Sequence, residues 1–244
     1  MSTTAIKRAL VTGGSGGIGA AICRRLARAG HHVYVHANRS VGVADSLARE
    51  IVAAGGRAES LCFDITDSEA TRLALATALN DGPIQIVVNN AGIHDDAVFP
   101  RMSAHQWHRV IDTSVNGFFN VTQPLTMPMI HTRWGRIVNI SSVTALIGNR
   151  GQVNYAAAKG ALNAATKALA LEVARRGVTV NAVAPGIIAT ATSDQVFDDE
   201  TIARLVPMKR AGLPEEVASL VAFLVSEDAA YVTAQVISIN GGMI

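Results

Sequence analysis

The sequence predicts an α/β protein built on a single doubly wound parallel sheet with helices on both faces. Short apolar runs alternate with longer helical patterns through all 244 residues. Most of the apolar runs are continuous, which is typical of strands that are covered on both faces. No repeat, linker or low-complexity tract interrupts the alternation, so residues 1–244 are predicted to form one domain.

Each predicted strand except the last is followed by enough chain for a crossover connection. The predicted strands are Arg8–Thr12, His32–His36, Arg57–Phe63, Ile84–Asn89, Gly135–Ser141, Val178–Ala184 and Gln235–Ile239. The predicted helices are Gly17–Ala29, Val43–Ala54, Ser68–Leu79 and Tyr155–Arg176, with a further helical region around Trp107–Met129. Such sheets bind ligands beyond the carboxyl ends of their strands, so we expect the reacting groups there.

Composition narrows the classes of function. The net charge is only +2, which argues against a nucleic-acid-binding surface. No apolar run is long enough to span a membrane, and Met1–Lys7 does not resemble a secretory signal, so a cytoplasmic protein without membrane contact is expected. Cys23 and Cys62 are expected to be buried and reduced, and no histidine spacing indicates a metal site.

A glycine-rich turn follows the first strand. Gly13, Gly17 and Gly19 lie within Thr12–Gly19, directly before a predicted helix. Glycines let the backbone turn tightly and approach a pyrophosphate, whose charge then lies against the helix N-terminus. A tight turn without a ligand is the alternative, but the preceding strand and the following helix favour dinucleotide binding in a Rossmann-like fold.

The end of the second strand bears on the choice of nicotinamide cofactor. NAD-binding sheets place an acidic residue there, which accepts a hydrogen bond from the ribose 2′-hydroxyl. Here Ala37 holds that position and Arg39 follows. A guanidinium suits a 2′-phosphate, so NADP(H) is favoured over the alternative that Arg39 is an ordinary solvated charge. Gly16 in the glycine turn supplies no second positive charge.

Three side chains indicate proton transfer to a carbonyl oxygen. Tyr155 and Lys159 lie four residues apart among strong helix formers, and therefore on one helix face. A free phenol with a pKa of about 10 donates its proton slowly, and we expect the nearby ammonium to lower that pKa. Ser142 lies thirteen residues before Tyr155, at the end of a predicted strand.

The chain resembles the short-chain dehydrogenase/reductase family from end to end. The motifs that carry the resemblance are the glycine turn, Asn89–Gly92, Ser142, Tyr155 with Lys159, and Pro185–Gly186 with Thr190. The resemblance implies that Tyr155 protonates a ketone oxygen that Ser142 hydrogen-bonds, while Lys159 holds the nicotinamide ribose. The implied cofactor contacts are Gly13, Ser15, Gly17, Ile18, Gly19, Asn38, Arg39, Asp64, Ile65, Asn90, Ala91, Gly92, Tyr155, Lys159, Pro185, Gly186, Ile188 and Thr190.

Two positions stay open within this resemblance. Asp64 matches the residue that meets the adenine edge, but it also precedes the helix at Ser68 and could cap it. The family usually places an asparagine in a helix, where it holds a water that joins the lysine to solvent. Alignment on Gly117 puts Ser114 at that position, so Ser114 is the candidate for this catalytic relay.

Three segments suggest a substrate class. The segments that resemble 3-oxoacyl-[acyl-carrier-protein] reductases are Gly148–Tyr155, Val180–Gly186 and Asn240–Met243. This resemblance implies reduction of a 3-oxoacyl group on an acyl carrier protein, in fatty acid or polyketide biosynthesis. The segment Asp112–Phe119 also resembles carrier-dependent ketoreductases of bacterial aryl polyene type biosynthesis. The first resemblance places Gln152 on the substrate, and Arg133 and Arg176 on the acidic carrier. Ordinary surface charge is the alternative for both arginines.

Two other functions remain possible from the sequence. One is a reductase of another ketone, and the other is an NADP-binding sensor without turnover, for which Ser114 in place of asparagine is the only support. The loop Ala191–Val206 is expected to close over the substrate and names no ligand. The regions Trp107–Met129 and Asn154–Arg176 carry more apolar and small residues than one sheet face can bury, and the family pairs such helices across subunits, so a homotetramer is predicted.

Overall fold

Among the residues that the structure describes, seven parallel strands form one sheet in the order β3-β2-β1-β4-β5-β6-β7. The computed structural model describes residues 6–190 and 198–244. The strands within these residues are β1 (Arg8–Val11), β2 (His32–Ala37), β3 (Arg57–Cys62), β4 (Ile86–Asn89), β5 (Gly135–Ile140), β6 (Val178–Pro185) and β7 (Val236–Ile239). The predicted parallel α/β fold is confirmed.

Helices cover both faces of the sheet. The α-helices of the described residues are α1 (Gly17–Arg28), α2 (Val41–Ala53), α3 (Ser68–Leu79), α4 (Ala104–Ile111), α5 (Gly117–Thr132), α6 (Thr144–Ile147), α7 (Val153–Val173), α8 (Asp199–Leu205) and α9 (Pro214–Val225). The apolar core on one face is built with α1, α2 and α9, and the core on the other with α3, α5 and α7. No helix in the described part of the chain is both long and apolar enough to cross a bilayer.

The position of a strand in the sheet explains its exposure. Every residue of β5 and β6 is buried, because both strands lie inside the sheet with helices on both faces. The edge strand β3 is only partly covered, and its last residue, Cys62, is exposed. Both cysteines are free thiols. Burial was expected for Cys23 and Cys62 alike, and for Cys62 that expectation is wrong because it lies at the sheet edge.

The winding direction of the sheet reverses at β1, which pairs with β2 on one side and β4 on the other. A crevice for a ligand is expected at such a reversal, beyond the carboxyl ends of the two diverging strands. The glycine turn follows β1, Asn90–Gly92 follows β4, Ser142 follows β5, and Gly186 follows β6. The fold therefore gathers the sequence motifs at one edge of the sheet.

Two segments differ from the expectations. The predicted helical region around Trp107–Met129 runs without a break from α4 into α5, but it contains a π-helical turn at Asp112–Asn116. The hydrophobic periodicity of the sequence carries no signal for this wide turn. Of the loop Ala191–Val206, residues 191–197 lie outside the described residues, and the remainder contains α8.

Candidate active site

Two positions of the glycine turn, Gly13 and Gly19, have a backbone conformation or a close contact that only glycine fits without strain. Gly13 adopts a φ of +62°, in the left-handed region that favours glycine. A Cβ atom at Gly19 would overlap the carbonyl oxygen of Gly13, so α1 begins in close contact with the turn. No side chain caps the N-terminus of α1, and its first turn contains no acidic residue. Its first N–H groups are therefore available to an anion.

Thr12 and Asn90 tie the turn to the segment after β4. The Thr12 hydroxyl oxygen accepts hydrogen bonds from the backbone N–H groups of Asn90 at 3.0 Å and Ala91 at 3.1 Å. The Asn90 side chain donates from Nδ2 to the carbonyl oxygens of Thr12 at 2.9 Å and Gly13 at 3.1 Å. The sequence identified Thr12 only as the first residue of the glycine turn and assigned it no role of its own. The two motifs form one rigid wall of the crevice.

His36 is a further support for the turn that sequence reasoning missed. Its Nδ1 accepts a hydrogen bond from the backbone N–H of Gly13 at 3.1 Å, and its Nε2 lies 3.0 Å from the carbonyl oxygen of Phe63. Burial lowers the pKa of His36 to about 4, so the ring is neutral at pH 7 and Nε2 carries its proton. A polar residue inside the apolar run of β2 was the available signal.

The loop after β6 reaches the same turn. A Cβ atom at Gly17 would lie 3.0 Å from Cγ2 of Thr190. Pro185 ends β6, Gly186 follows it in close contact with the segment after β7, and Ile188 is buried. The structure thus brings Thr190 against the glycine turn, with Pro185, Gly186 and Ile188 leading to it.

Asn38, Arg39 and Asp64 form the corner beyond β2. Burial raises the pKa of Asp64, but hydrogen bonds from Thr66 and Asn38 and the charge of Arg39 outweigh it, and the pKa is below its usual value. Asp64 accepts from the Thr66 backbone N–H at 2.9 Å and from its hydroxyl at 2.7 Å. The residue that caps α3 is Asp67, so the alternative of a helix cap at Asp64 is wrong.

The other predicted cofactor contacts occupy neighbouring positions. Ser15 and Ile18 are half-buried in the glycine turn and the first turn of α1. Ile65 is buried against α5, where a Cβ atom at Gly117 would lie 2.6 Å from its Cδ1. The carbonyl oxygen of Ile65 accepts a hydrogen bond from Nδ2 of Asn120 at 2.8 Å. These contacts fix the backbone of the segment between β3 and α3 beside the crevice.

Tyr155 lies in the first turn of α7, beside the end of β5. Burial raises the pKa of its phenol to about 12, a hydrogen bond with Ser142 lowers it, and the negative charge of Asp96 raises it. We expected the ammonium of Lys159, together with the positively charged nicotinamide of an oxidised cofactor, to favour the phenolate. Among the protein's own groups, burial of the phenolate has the largest effect on this pKa and raises it. Tyr155 is therefore a protonated phenol at neutral pH.

Lys159 is almost completely buried one helical turn further along α7. Its Nζ donates a hydrogen bond to the carbonyl oxygen of Ile140 at 2.8 Å and lies 5.6 Å from the centre of the Tyr155 ring. Burial lowers the pKa of Lys159 to about 8. A Cβ atom at Gly92 would lie 3.1 Å from Nζ. The motif after β4 therefore meets the lysine as well as the glycine turn.

Two adjacent serines, Ser141 and Ser142, follow β5, and their hydroxyls have different hydrogen-bond partners. Ser141 is buried, and its hydroxyl donates to the carbonyl oxygen of Lys159 at 3.3 Å. Ser142 accepts a hydrogen bond from the backbone N–H of Thr144 at 3.1 Å and also bonds the Tyr155 hydroxyl. Ser142 is thus the serine that shares the site with Tyr155.

Ser114 lies in the π-helix, which packs against α7. Its side chain is buried, and its hydroxyl has no hydrogen-bond partner among the described residues. The structure brings the helix turn of Ser114 against the helix that carries Tyr155 and Lys159, and the Ser114 hydroxyl forms no hydrogen bond with either side chain. Wide π-turns occur frequently at functional sites.

Three polar side chains border Tyr155, and sequence reasoning assigned a role to only one of them, Gln152. The rings of His94 and Tyr155 stack with centroids 4.1 Å apart. Gln152 Nε2 donates to a carboxylate oxygen of Asp96 at 2.7 Å and lies 3.3 Å from Nδ1 of His94. Burial lowers the pKa of His94, Asp96 raises it, and Lys159 lowers it. Only their place directly after Asn89–Gly92 could have indicated His94 and Asp96.

A buried network of amides and hydroxyls aligns the strands beneath the site. Asn89 Nδ2 donates to Asn139 Oδ1 at 2.8 Å and to the Thr122 hydroxyl at 2.9 Å. Asn139 Nδ2 donates to the Thr166 hydroxyl at 2.8 Å. Asn154 donates from Nδ2 to a backbone carbonyl of the loop after β4 at 2.9 Å. β4, β5, α5 and α7 are therefore held in one register, which positions Ser142, Tyr155 and Lys159.

Arg133 and Arg176 lie at the opposite end of the molecule from these side chains. Arg133 follows α5, and a Cβ atom at Gly177 would overlap its carbonyl oxygen, so both arginines lie near the starts of β5 and β6. A helical rise of 1.5 Å per residue places Arg176 about 30 Å from Tyr155 along α7. Within one chain, the structure does not bring these arginines to the site.

The fold and the site are those of a short-chain dehydrogenase. A family model described as short chain dehydrogenase matches residues 7–201. The chain belongs to this family of oxidoreductases.

Individual relatives are similar over nearly the whole chain. The 3-oxoacyl-[acyl-carrier-protein] reductase FabG of Aggregatibacter actinomycetemcomitans is 47% identical over 236 residues, which cover 96% of this chain and 98% of that protein. Nodulation protein G of Azospirillum brasilense is 43% identical over 240 residues, covering 97% and 98%. The crystal structure of a "putative gluconate dehydrogenase" from Agrobacterium tumefaciens aligns with a TM-score of 0.93 at 32% identity, covering 97% of this chain and 95% of that one.

Proposed function

We propose that the protein uses NADPH to reduce the ketone of a 3-oxoacyl-[acyl-carrier-protein] to the 3-hydroxyacyl product. The observation that carries this proposal is the meeting of Tyr155, Ser142 and Lys159 beside a glycine turn with an uncapped helix N-terminus. The name of the FabG relative supports the class of substrate. Fatty acid, polyketide or aryl polyene type biosynthesis remains the proposed setting.

The residues around the crevice fit a dinucleotide. The turn from Gly13 to Gly19 would hold the pyrophosphate, because its backbone is open to an anion and excludes a side chain at Gly19. Gly92 leaves space beside Lys159, where that lysine would hold the nicotinamide ribose. When bound, NADPH supplies the hydride that the carbonyl carbon accepts. The other residues that the sequence analysis gave as cofactor contacts also lie around this crevice and are likewise proposed to bind the dinucleotide.

Tyr155 is proposed to donate the proton to the substrate oxygen. Its pKa of about 12 keeps the phenol protonated, as this direction of the reaction requires. Ser142 is proposed to hydrogen-bond the same oxygen and to stabilise the negative charge that develops there. Lys159, with a pKa of about 8, is largely charged at neutral pH and would stabilise the phenolate left behind. Ser114 is proposed to complete the relay through a water beside its unpaired hydroxyl.

Arg39 is proposed to select NADPH over NADH. It is exposed after β2 and no acidic residue occupies the position of Ala37. We expect Arg39→Ala to lower kcat/KM for NADPH about 10- to 100-fold, which corresponds to the loss of charge-assisted hydrogen bonds, and to affect NADH less. Arg49→Ala, an exposed arginine of α2, is the control. Equal losses with both cofactors would contradict this role.

Carrier-linked substrates test the main proposal. The purified protein is offered acyl carrier proteins that bear 3-oxoacyl groups of several chain lengths, and NADPH consumption is followed by absorbance. Turnover that depends on the 3-oxo group is expected. A protein that consumes NADPH only with other ketones would disprove the proposed substrate.

A second candidate substrate is a sugar-derived acid or its ketone. The similarity to the gluconate dehydrogenase structure favours this class, although the identity is lower than to the FabG relative. Oxidation of gluconate with NADP⁺, absent with acyl carriers, would support it. Dinucleotide binding without turnover of either substrate would support the remaining alternative, a sensor.

A homotetramer is proposed as the functional assembly. Because Arg176 lies about 30 Å from Tyr155 along α7 and Arg133 lies close to Gly177 beside it, these arginines are proposed to contact a carrier that is docked at the active site of another copy. Exposed apolar side chains on α5 and α7, among them Phe119 and Leu171, provide surface for pairing. Light scattering at micromolar concentration should give four chains per particle, and a monomer would contradict the proposal.

A further inference from the structure

A groove of about 840 Å³ lies beside Tyr155 on the surface of the described residues. One wall is Val98 with the short 3₁₀-helix Phe99–Arg101, and the other is Asn149–Gly151 with Val153. We call this feature the arginine groove, because Arg101 and Arg150 are its charged residues. None of the residues that line it was assigned a role above.

The arginine groove and the candidate active site share a wall. The backbone N–H of Ala97 donates to the carbonyl oxygen of Gly151 at 2.9 Å, which ties the two walls together. Gln152, between Gly151 and Val153, accepts a hydrogen bond from Nδ2 of Asn149 in the groove at 2.9 Å and donates one to Asp96 beside Tyr155 at 2.7 Å. A ligand in the groove would therefore lie next to the reacting groups.

The groove is lined by apolar side chains and by the guanidinium groups of two arginines. Phe99 has 62% of its surface exposed, Val153 has 40% and Val98 has 38%, so the groove carries several exposed apolar side chains in one place, a feature of binding sites. Arg101 and Arg150 are exposed and have no ion-pair partner among the described residues. Nearby Arg109, in contrast, is paired with Asp95 at 2.6 Å. The two free guanidiniums suit a phosphate or carboxylate group.

We propose that the arginine groove binds the 4′-phosphopantetheine arm of a docked acyl carrier protein, and that Arg101 and Arg150 contact its phosphodiester. The proposal rests on the proposed function. The arm joins a thioester to a phosphodiester through a long, largely uncharged chain, which matches apolar walls beside the reacting groups and two cations at the border. This places the arm on the same chain as the Tyr155 that acts on it, unlike Arg133 and Arg176.

The test compares two substrates in a double variant, Arg101→Gln with Arg150→Gln. One substrate is the acetoacetyl thioester of an acyl carrier protein, and the other is the acetoacetyl thioester of N-acetylcysteamine, which lacks the phosphodiester and the carrier. The ratio of their kcat/KM values is expected to fall at least about 10-fold, the loss of one or more charge-assisted hydrogen bonds. Dependence of the carrier reaction on salt should weaken as well.

The matched control removes two exposed arginines elsewhere, by Arg25→Gln with Arg49→Gln on α1 and α2. In this control variant, the ratio of kcat/KM for the carrier-linked substrate to kcat/KM for the N-acetylcysteamine thioester should stay within about 2-fold of the wild-type ratio. The reason is that Arg25 and Arg49 lie on helices remote from the groove. Acetoacetyl-coenzyme A distinguishes the source of the phosphate. A loss with this thioester but not with the carrier-linked one overturns the assignment to the carrier.

Failure of this proposal differs from failure of the proposed function. If wild-type protein reduces the carrier-linked substrate and the Arg101→Gln, Arg150→Gln variant keeps the same ratio, the arginine groove does not bind the arm. If wild-type protein reduces no carrier-linked substrate, the proposed function is wrong and the groove proposal falls with it.

Discussion

The two sides of the crevice treat their polar groups in opposite ways. On the glycine side, Thr12, Asn90 and His36 each have hydrogen-bond partners that hold the turn. The opposite side carries the proposed catalytic residues and is the reacting side. There, burial lowers the pKa of Lys159 to about 8, and the hydroxyl of Ser114 has no hydrogen-bond partner among the described residues. The satisfied hydrogen bonds of the glycine side stabilise the fold, whereas the buried ammonium and the unpaired hydroxyl of the reacting side lower its stability. Functional sites commonly contain such destabilising groups.

This difference predicts how substitutions divide. Changes on the glycine side should weaken both the folded state and dinucleotide binding, because the same hydrogen bonds serve both. Changes on the reacting side should abolish turnover with little loss of stability. Four substitutions test this division.

Tyr155→Phe should have the largest effect, because it removes the proposed proton donor and little else. We expect kcat to fall about 10²- to 10⁴-fold, the usual contribution of a positioned general acid. Dinucleotide affinity, measured by titration calorimetry, should change little. A rate within about 3-fold of the wild type would show that another group donates the proton.

Gly19→Ala should follow, because its new Cβ atom would overlap the carbonyl oxygen of Gly13. The turn and α1 must move apart, so dinucleotide affinity should fall at least about 100-fold, and the free energy of unfolding about 1–3 kcal/mol. Gly42→Ala is the control, since a Cβ atom there meets nothing within 4 Å in α2. Equal behaviour of the two variants would contradict the tight contact.

His36→Leu removes the acceptor for the Gly13 N–H and should lower the free energy of unfolding about 1–3 kcal/mol at pH 7. The folded-state pKa of about 4 lies below the ordinary value of 6.5. The wild type should therefore lose stability as the pH falls from 6.5 through 4, where the unfolded chain binds the proton more readily. Urea unfolding across this range should show a smaller loss in His36→Leu. Identical slopes would mean that His36 does not titrate on unfolding.

Lys159→Met should change the free energy of unfolding least of the four substitutions and should raise it rather than lower it, although turnover should be lost. The pKa of Lys159 is lowered from 10.5 to about 8, so the wild type should gain stability as the pH rises from 8 to 10.5. At pH 7 the variant should be as stable as the wild type or more stable, by up to about 1–2 kcal/mol, since a buried ammonium is removed. A clear loss of thermal stability at pH 7 would show that the ammonium is stabilising.

The sequence predicted local features well where a local interaction decides them. The bounds of α3 agree with the prediction, because Asp67 caps its first turn. The strand ends agree within two residues, because continuous apolar runs define them. The spacing of Ser142, Tyr155 and Lys159 likewise predicted side chains that the structure brings together.

What only the tertiary structure decided depends on contacts between distant parts of the chain. The π-helix at Asp112–Asn116, the stacking of His94 on Tyr155, and the raised pKa of that phenol have no signature in periodicity or propensity. Burial sets each ionisation by excluding water, and burial follows from packing rather than from neighbours in sequence. The sequence alone determined the succession of strands and helices along the chain and the identities of the candidate catalytic residues, and packing determined the charges and the partners of those residues.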